Sequence, residues 1–451
     1  MEHQDTFTAI STPHGESAIG VVRCSGPLCS NLAGSIFNND SPTPRRGYYG
    51  NYTSSTGDFL DQVVYTFFEK DQSYTGDPML EISCHGNPFI LQNVLGDLVS
   101  RGCRHALPGE FTQTAFLNGK LDLSQAEAVI DLIKARTELS FKAASNQLQG
   151  SLSRRIHQLV EDLLQIVAEI EAYIDFPEED LPKEGEAAPT NRVQLLIEQI
   201  SKLSETARTG IFLREGVKAI IIGEPNAGKS SLLNCLLEES RAIVSDRPGT
   251  TRDYIEASFF VEPYRINIID TAGIHETDDD IENQGIRKTM EQMALSDLIL
   301  LTLDSSTPPP SFDFDVSDLL IPGKTLVIRN KSDLNSHNDQ MGSFSNFKSV
   351  DISAITGQGI DELKSGISGL LGEPKVSNQG DVVAVSARHH SALENAKSDL
   401  ETANSLLIQD QPAELAASHL REAMSNLESV VGRIDNERML DKLFSSFCIG
   451  K

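Results

Sequence analysis

Gly223, Gly228, Lys229 and Ser230 stand at the spacing G-x-x-x-x-G-K-[ST] within residues 217–234, after a β-branched run and before a leucine-rich helix start. That pattern builds a phosphate cradle. Glycines let successive backbone N–H groups turn inward around phosphate oxygens, Lys229 reaches the outer phosphates, and the Ser230 hydroxyl ligates Mg²⁺. A helix beginning near Lys229 aims the positive end of its dipole at the same anion. Three further motifs follow in the order a nucleotide switch needs: Gly249-Thr250-Thr251-Arg252-Asp253, Asp270-Thr271-Ala272-Gly273 and Asn330-Lys331-Ser332-Asp333. The Asp333 carboxylate can accept from guanine N1–H and from its exocyclic amine, whereas adenine has no matching donor pair. A site built on such pairs rejects the wrong base by roughly 10⁴ to 10⁵. The nucleotide is therefore GTP.

The GTP-binding set expected from these motifs falls in four groups. The P-loop gives Gly223, Asn226, Ala227, Gly228, Lys229, Ser230 and Ser231, and the next loop gives Ser245, Asp246, Arg247, Pro248, Gly249, Thr250 and Thr251. Asp270, Thr271, Ala272 and Gly273 form the third group, and Asn330, Lys331, Asp333, Ser353 and Ala354 surround the base. Thr251 would complete the Mg²⁺ shell begun by Ser230, and Asp270 would hold the ion through water. Asn330 and Lys331 would brace the loop and cover the base.

Cleavage of GTP rests on positioning and charge stabilisation. The residues after Gly273 are Ile274 and His275, so no glutamine stands there to orient water. Glu276 and the run Asp278-Asp279-Asp280-Ile281-Glu282 offer acids, among which composition alone does not choose. The Asn226 side-chain oxygen and backbone carbonyls from 245–250 could cage a monovalent cation, a coordination that suits K⁺.

Several elements must carry these residues. A chain of 451 residues gives a prior of about three domains. Residues 5–12, 18–26, 63–69 and 79–86 are short β-rich runs broken by Gly, Pro and Asp, with helical text at 88–100. This first part reads as an α+β domain, and Arg23, Glu81, His85, Arg104, Glu110 and Lys120 are its notable polar residues. Helical text occupies 121–148, 153–174, 191–213, 391–408 and 412–446. Ile156, Leu159, Leu163, Ile166, Val167, Ile170 and Ile174 form an amphipathic stripe that faces a bundle core. Pro177 and Pro182 break the helix after it. The economical architecture is multidomain: an α+β domain over 1–120, an all-α domain in two halves over 121–213 and 374–451, and an α/β P-loop domain inserted over 214–373.

The formal net charge of −27 argues against a surface that is basic overall, but leaves room for a local basic patch or a partner that supplies positive charge. Cys24, Cys29, Cys84, Cys103, Cys235 and Cys448 show no metal-site spacing and read mostly as reduced. No signal-peptide pattern opens the chain and no apolar run approaches the length of a membrane span, so a cytoplasmic protein without a membrane partner is expected.

The motifs together resemble the MnmE (TrmE) family of tRNA modification GTPases, nearly end to end. The P-loop and Gly249–Asp253 are shared with several translation-related GTPases. Pro108-Gly-Glu-Phe111, Ala115-Phe-Leu-Asn118, Lys120-Leu-Asp-Leu123, Gln125-Ala-Glu-Ala128 and the tail Phe447-Cys-Ile-Gly-Lys451 are more particular to the family. The resemblance implies a dimerising N-terminal domain that binds a tetrahydrofolate one-carbon donor (5-formyl- or methylene-tetrahydrofolate) and a helical domain split by the G domain. It also implies K⁺-dependent G-domain pairing.

Carried onto this sequence, the family's folate contacts fall on Arg23, Glu81, Lys120 and Lys451. Its K⁺ cage falls on Asn226, Ser245, Arg247 and Thr250, its water-orienting acid on Glu282, and its tail cysteine on Cys448. The implied partner is an FAD- and NADH-using MnmG-like protein, joined in a heterotetramer. The implied product is an aminomethyl or carboxymethylaminomethyl group at carbon 5 of the wobble uridine of certain tRNAs. FAD belongs to the partner, since no G-x-G-x-x-G fingerprint follows a strand here. Two positions depart from the family pattern: Arg247, where an apolar residue is usual, and Ile274-His275 in place of Leu-Arg. The competing reading is a ribosome-assembly or signalling GTPase that acts only as a binding switch.

Overall fold

The computed structural model describes residues 5–176, 188–241, 255–269, 282–308, 319–334, 344–372, 385–432, 440, 443–445 and 447–450. By contact the chain separates into two units. One comprises Met1–Ile130, Gln147–Ile197 and Asn395–Lys451, the other Asp131–Asn146 and Glu198–Glu394.

The N-terminal part contains β1 (Phe7–Ile10), β2 (Ser17–Ser25), α1 (Cys29–Phe37), β3 (Gly47–Thr53), β4 (Phe59–Phe68), β5 (Met79–Gly86), α2 (Pro88–Ser100), β6 (Arg104–His105) and α3 (Glu110–Leu117). Its six strands lie in the order β3-β4-β5-β2-β1-β6, antiparallel except for the β1–β6 pair. Alternation decides what each face does. Val22, Cys24, Val63, Tyr65, Phe67, Leu80, Ile82 and Cys84 share a core with α1 and α2. The residues between them point to the other face. There α3 covers the β1 end through Phe111, packed on Phe7, Ala9 and Met79, while Tyr49 and Val64 stay exposed at the β3–β4 end.

The helices that follow are α4 (Leu123–Lys134), α5 (Glu138–Leu148), α6 (Ser151–Asp175), α7 (Pro189–Ser204) and α8 (Ala207–Glu215). Two continuous helical runs expected from sequence are each split. At 135–137, Thr137 and Ser140 exchange side-chain-to-backbone hydrogen bonds, Ser140 N–H to Thr137 Oγ1 at 3.2 Å and Thr137 N–H to Ser140 Oγ at 3.1 Å, which caps a new helix start. Between α7 and α8 the Thr206 hydroxyl bonds back to the Leu203 carbonyl at 2.7 Å. The α6 stripe is buried from Ile156 to Ile170, with Ile174 half-buried. Pro177 and Pro182 lie outside the described residues.

The nucleotide domain runs through β7 (Val217–Ile222), α9 (Lys229–Arg241), β8 (Ile255–Val261), β9 (Tyr264–Ile269), α10 (Glu282–Leu295), β10 (Leu298–Asp304), β11 (Thr325–Asn330), β12 (Lys348–Asp351) and α11 (Ile360–Leu371). Its sheet order is β12-β11-β10-β7-β9-β8, parallel except for β8 against β9. Near-continuous apolar strands are what a parallel sheet buried on both faces requires. In β7, Val217, Ala219 and Ile221 enter one core and Ile220 and Ile222 the other. The P-loop and the Asn330 motif therefore leave the carboxyl ends of β7 and β11, where ligands of open α/β sheets bind.

The chain closes with α12 (Ala387–Ile408) and α13 (Ala413–Val431), the latter packed on α6. Helical text over 412–446 is thus divided: α13 ends at Val431, Gly432 takes a left-handed turn, and Leu440, Leu443 and Phe444 are again helical. No helix among the described residues is long and apolar enough to cross a membrane.

Candidate nucleotide site and N-terminal site

The P-loop lies between β7 and α9. Gly223 leaves β7 with its α-carbon against the Thr302 carbonyl, where a Cβ would stand 2.1 Å from the oxygen. At Gly228, φ is +92° and a Cβ would lie 2.1 Å from Asn330 Nδ2, so both the turn and the close approach require glycine. Asn226 is exposed in a left-handed conformation, φ +63°. Ala227 is buried, and Ser230 and Ser231 are exposed in the first turn of α9. Lys229 Nζ donates to the carbonyls of Gly223 (3.1 Å) and Glu224 (2.8 Å), so its ammonium closes over the loop. A turn of positive-φ residues leading into a helix start is the form of a phosphate site. The described P-loop residues therefore fit a nucleotide phosphate chain.

The base-side motifs join the same site through Asn330, which is 2% exposed at the end of β11. Its Nδ2 donates to the Ala227 carbonyl at 2.9 Å and its Oδ1 accepts from Ala354 N–H at 3.0 Å. Lys331 Nζ is 2.6 Å from Asp304 Oδ2 at the end of β10. Burial pushes the Asp304 carboxyl up, but Lys331, the Ser306 hydroxyl and the Ser306 N–H outweigh it and hold the carboxyl below its ordinary value. Asp333 is exposed, as recognition of a base edge requires. Ser353 is fully buried and shapes the turn before α11, its Oγ accepting from Thr356 N–H at 3.3 Å.

Arg23 on β2 and Glu81 on β5 are cross-strand partners in register, joined by Arg23 Nε to Glu81 Oε1 at 2.8 Å. They sit where the α3-covered part of the sheet gives way to its open part. Tyr74 flanks them: burial pushes its phenol up, against the Thr112 hydroxyl and the Arg23 charge. Lys120 is exposed and its Nζ donates to the Asp71 carbonyl at 2.6 Å, while Asn118 Nδ2 donates to the Thr75 carbonyl at 2.8 Å, so both hold the loop that carries Tyr74. His85, Arg104 and Glu110 have structural partners. His85 Nδ1 is 2.7 Å from Asp61, and buried Glu110 takes Arg104 and Leu107 N–H (2.7 Å), closing the turn before α3.

The tail lies on this N-terminal part. Phe444 and Phe447 are buried with Leu123, Ala126 and Ile130 of α4. Beyond them Gly109 N–H donates to the Cys448 carbonyl at 3.3 Å, Ile449 bridges Pro108, and Ser11 Oγ donates to the Gly450 carbonyl at 3.1 Å. Ser11 in turn donates its N–H to Val21, two residues from Arg23. Cys448 is exposed, Cys235 intermediate, and Cys24, Cys29, Cys84 and Cys103 are buried, none of them in a disulfide.

Comparison with known proteins identifies the family. The family model described as GTP-binding protein TrmE N-terminus matches residues 6–120, and that of the MnmE helical domain matches 123–448. A protein of Opitutus terrae named tRNA modification GTPase MnmE is 44% identical over 449 residues, 99% of each chain. One of Aquifex aeolicus with the same name is 42% identical over 450 residues, covering 99% of this chain and all of the relative. The chain belongs to the MnmE family of tRNA modification GTPases. Among solved structures, the G domain of the T. maritima iron transporter FeoB is 24% identical over 35% of this chain and 99% of that one, at a TM-score of 0.24, too low to add to the assignment.

Several positions expected from sequence lie outside the described residues: Ser245, Asp246, Arg247, Pro248, Gly249, Thr250, Thr251, Asp270, Thr271, Ala272, Gly273, Lys451, and Ile274 to Ile281 with them. Glu282 is placed only as the first residue of α10. Of the Mg²⁺ pair, Ser230 is described, and of the K⁺ cage, Asn226. Asp304 and Tyr74 were not among the residues expected from sequence. Asp304 ends an apolar strand like many turn residues, and Tyr74 stands in a Ser-Tyr-Thr-Gly turn, so neither carries a local signal.

Proposed function

We propose that the chain is a K⁺-stimulated GTP hydrolase that works with an FAD-dependent MnmG-like partner on tRNA. Together they modify carbon 5 of the wobble uridine, position 34, giving (carboxymethyl)aminomethyluridine with a one-carbon unit from 5-formyl- or methylene-tetrahydrofolate. The domains assigned to this work are a dimerisation and folate domain over 1–120, helical halves over 121–213 and 374–451, and a G domain over 214–373. The assembly is a cytoplasmic homodimer that joins its partner in a heterotetramer. Exposed Tyr49, Val64 and Ile19 on the open face of the N-terminal sheet support self-association.

The observation that carries this reading is the docking of Cys448, Ile449 and Gly450 against Gly109, Pro108 and Ser11, beside the strand that bears Arg23. A simple nucleotide switch needs no such arrangement. Arg23 and Glu81 offer a fixed guanidinium and carboxylate to a heterocycle edge, and Lys120 and Lys451 offer cations to the glutamate end of a folate. Bound folate would supply the carbon, and exposed Cys448, docked against that domain through Gly109, would serve the modification chemistry.

In the G domain the P-loop N–H groups and Lys229 hold the phosphates, Asp333 selects guanine, and Ser353 and Ala354 complete the base site. Ser230 and Thr251 would hold Mg²⁺, and Asn226, Ser245, Arg247 and Thr250 would hold K⁺, ions that would supply positive charge beside the phosphates. Glu282 positions water indirectly.

Hydrolysis of GTP in KCl against NaCl at equal ionic strength tests the mechanism. Stimulation by K⁺ that is lost in Asn226→Ala supports it, and equal rates in both salts overturn the cation cage. Folate binding, abolished in Arg23→Ala, separates this reading from the simple switch, which binds none.

A further inference from the structure

We propose that Asp399, His419 and Glu422 form a site for one divalent transition-metal ion of the zinc or cobalt class, which clips α12 to α13. His419 and Glu422 are three residues apart on α13 and so share a face, and Asp399 comes from α12. His419 Nδ1 lies 3.9 Å from Asp399 Oδ1 and 3.7 Å from Glu422 Oε2, and one ligand atom from each residue falls within 4.8 Å of the others. Direct hydrogen bonds would bring these atoms to about 2.8 Å. Bonds of about 2.0 to 2.2 Å to one tetrahedral ion put neighbouring ligand atoms roughly 3.3 to 3.6 Å apart. The three groups thus converge at a spacing nearer to shared coordination than to contact.

Two further observations point to a ligand. The Nδ1 atom of His419 is closed to solvent and has no hydrogen-bond partner, although the rest of the ring is partly exposed. An imidazole nitrogen left this way lacks the partner that burial demands. Asn426 Nδ2 meanwhile donates to Asp399 Oδ2 at 2.9 Å, which orients the carboxylate and leaves Oδ1 as its atom toward His419. That is the outer hydrogen bond expected around a metal ligand. A groove of about 460 Å³ lined by Asn395, Ser398, Asp399, Glu422, Ser425 and Asn426 leaves room for water to complete the coordination.

The donor set narrows the ion. One imidazole and two carboxylates, without a thiolate, suit zinc, cobalt or manganese, whereas Ca²⁺ and Mg²⁺ favour oxygen alone. The two carboxylates also balance the charge of a divalent cation. Bound metal would join two helices whose ligands are twenty residues or more apart, with a stabilisation set by metal concentration.

The test uses the full chain, stripped with EDTA, kept reduced and saturated with Mg²⁺ and GDP. Titration with Co²⁺, followed by its visible ligand-field absorption, is expected to show one equivalent bound. His419→Gln and Glu422→Gln, the latter at an exposed carboxylate, should each lose at least tenfold in Co²⁺ affinity. Zn²⁺ should raise the melting temperature of the wild type by several degrees and leave that of both variants unmoved, with basal GTP hydrolysis unchanged throughout. Absence of stoichiometric Co²⁺ absorption, or absorption that persists in the folded Glu422→Gln chain, overturns the proposal and leaves the cluster as an ion-pair triad.

Discussion

Asn330 Nδ2 lies 2.9 Å from the carbonyl of Ala227, 103 residues earlier in the chain. Its Oδ1 accepts the Ala354 N–H, so one buried amide ties the phosphate loop to two base-side loops. Asn330→Ala strands a buried donor and a buried acceptor at a cost of about 1 to 3 kcal/mol each, before the loops relax. The expected outcome is a roughly tenfold to hundredfold weaker Kd for a fluorescent GDP analogue. An unchanged Kd would mean that the P-loop holds its shape without this brace.

Asp333 is exposed at the end of its motif, free to meet a base edge. Asp333→Asn replaces two acceptors by one acceptor and one donor, which mismatches guanine and matches the C2 carbonyl and N1–H of xanthine. Competition binding should show GTP losing affinity and XTP gaining it. Retained preference for GTP would place base recognition elsewhere.

Asp97 is a stability prediction in the N-terminal part. Burial pushes its carboxyl up, but the Arg101 guanidinium, the Ser55 N–H and the Tyr52 hydroxyl prevail and hold it below its ordinary value. The contacts are 2.7 to 2.9 Å, and Arg101 also donates to the Thr53 carbonyl. Asp97→Ala leaves a largely buried guanidinium without its carboxylate partner and should cost about 3 to 5 kcal/mol in urea unfolding at pH 7. Because the folded value is depressed, the stabilisation is present above the unfolded value of about 3.9 and fades as pH falls through the folded one. The gap between wild type and variant should therefore narrow below about pH 4.

The docked tail can be probed at Gly450, where φ is +91° and a Cβ would stand 2.6 Å from the Ile10 carbonyl. Gly450→Ala should loosen the tail and speed hydrogen exchange at the Gly109 amide, which donates to Cys448. Folate should bind more weakly in the same variant. Unaltered exchange would show that Phe444 and Phe447 alone anchor the segment.

Thiol labelling separates the cysteines. Cys448 is exposed and should react with a disulfide reagent first, Cys235 more slowly. Burial pushes the Cys84 thiol up to about 12, with the Asp61 charge adding to it, and pushes Cys29 higher still, so both should react only on unfolding. Early loss of a buried thiol would contradict the packing of the N-terminal core.

Much of this arrangement is legible in sequence where local chemistry speaks. The Val217–Ile222 run, the P-loop glycines and the strand Tyr264–Ile269 are read directly because alternation and turn chemistry act within a few residues. β3 escapes, since Gly-Tyr-Tyr-Gly-Asn looks like a loop until β4 pairs with it. The breaks at Thr137 and Thr206 also escape, because a single hydroxyl turned onto the backbone overrides good helical periodicity. Arg104 and Glu110 stand out in sequence as notable polar residues, and in the structure they close a turn together. Asp304 under Lys331 and Asp399 beside His419 are long-range pairings, which no spacing encodes.

The most direct measurement is nucleoside mass spectrometry of tRNA from a bacterial host that lacks its own member of the family and expresses this chain. The account predicts that the wild-type chain restores the modified wobble uridine and that Lys229→Ala, with its nucleotide site disabled, does not. Unmodified uridine in the presence of folded, GTP-hydrolysing wild-type protein and the host's flavin partner would contradict it.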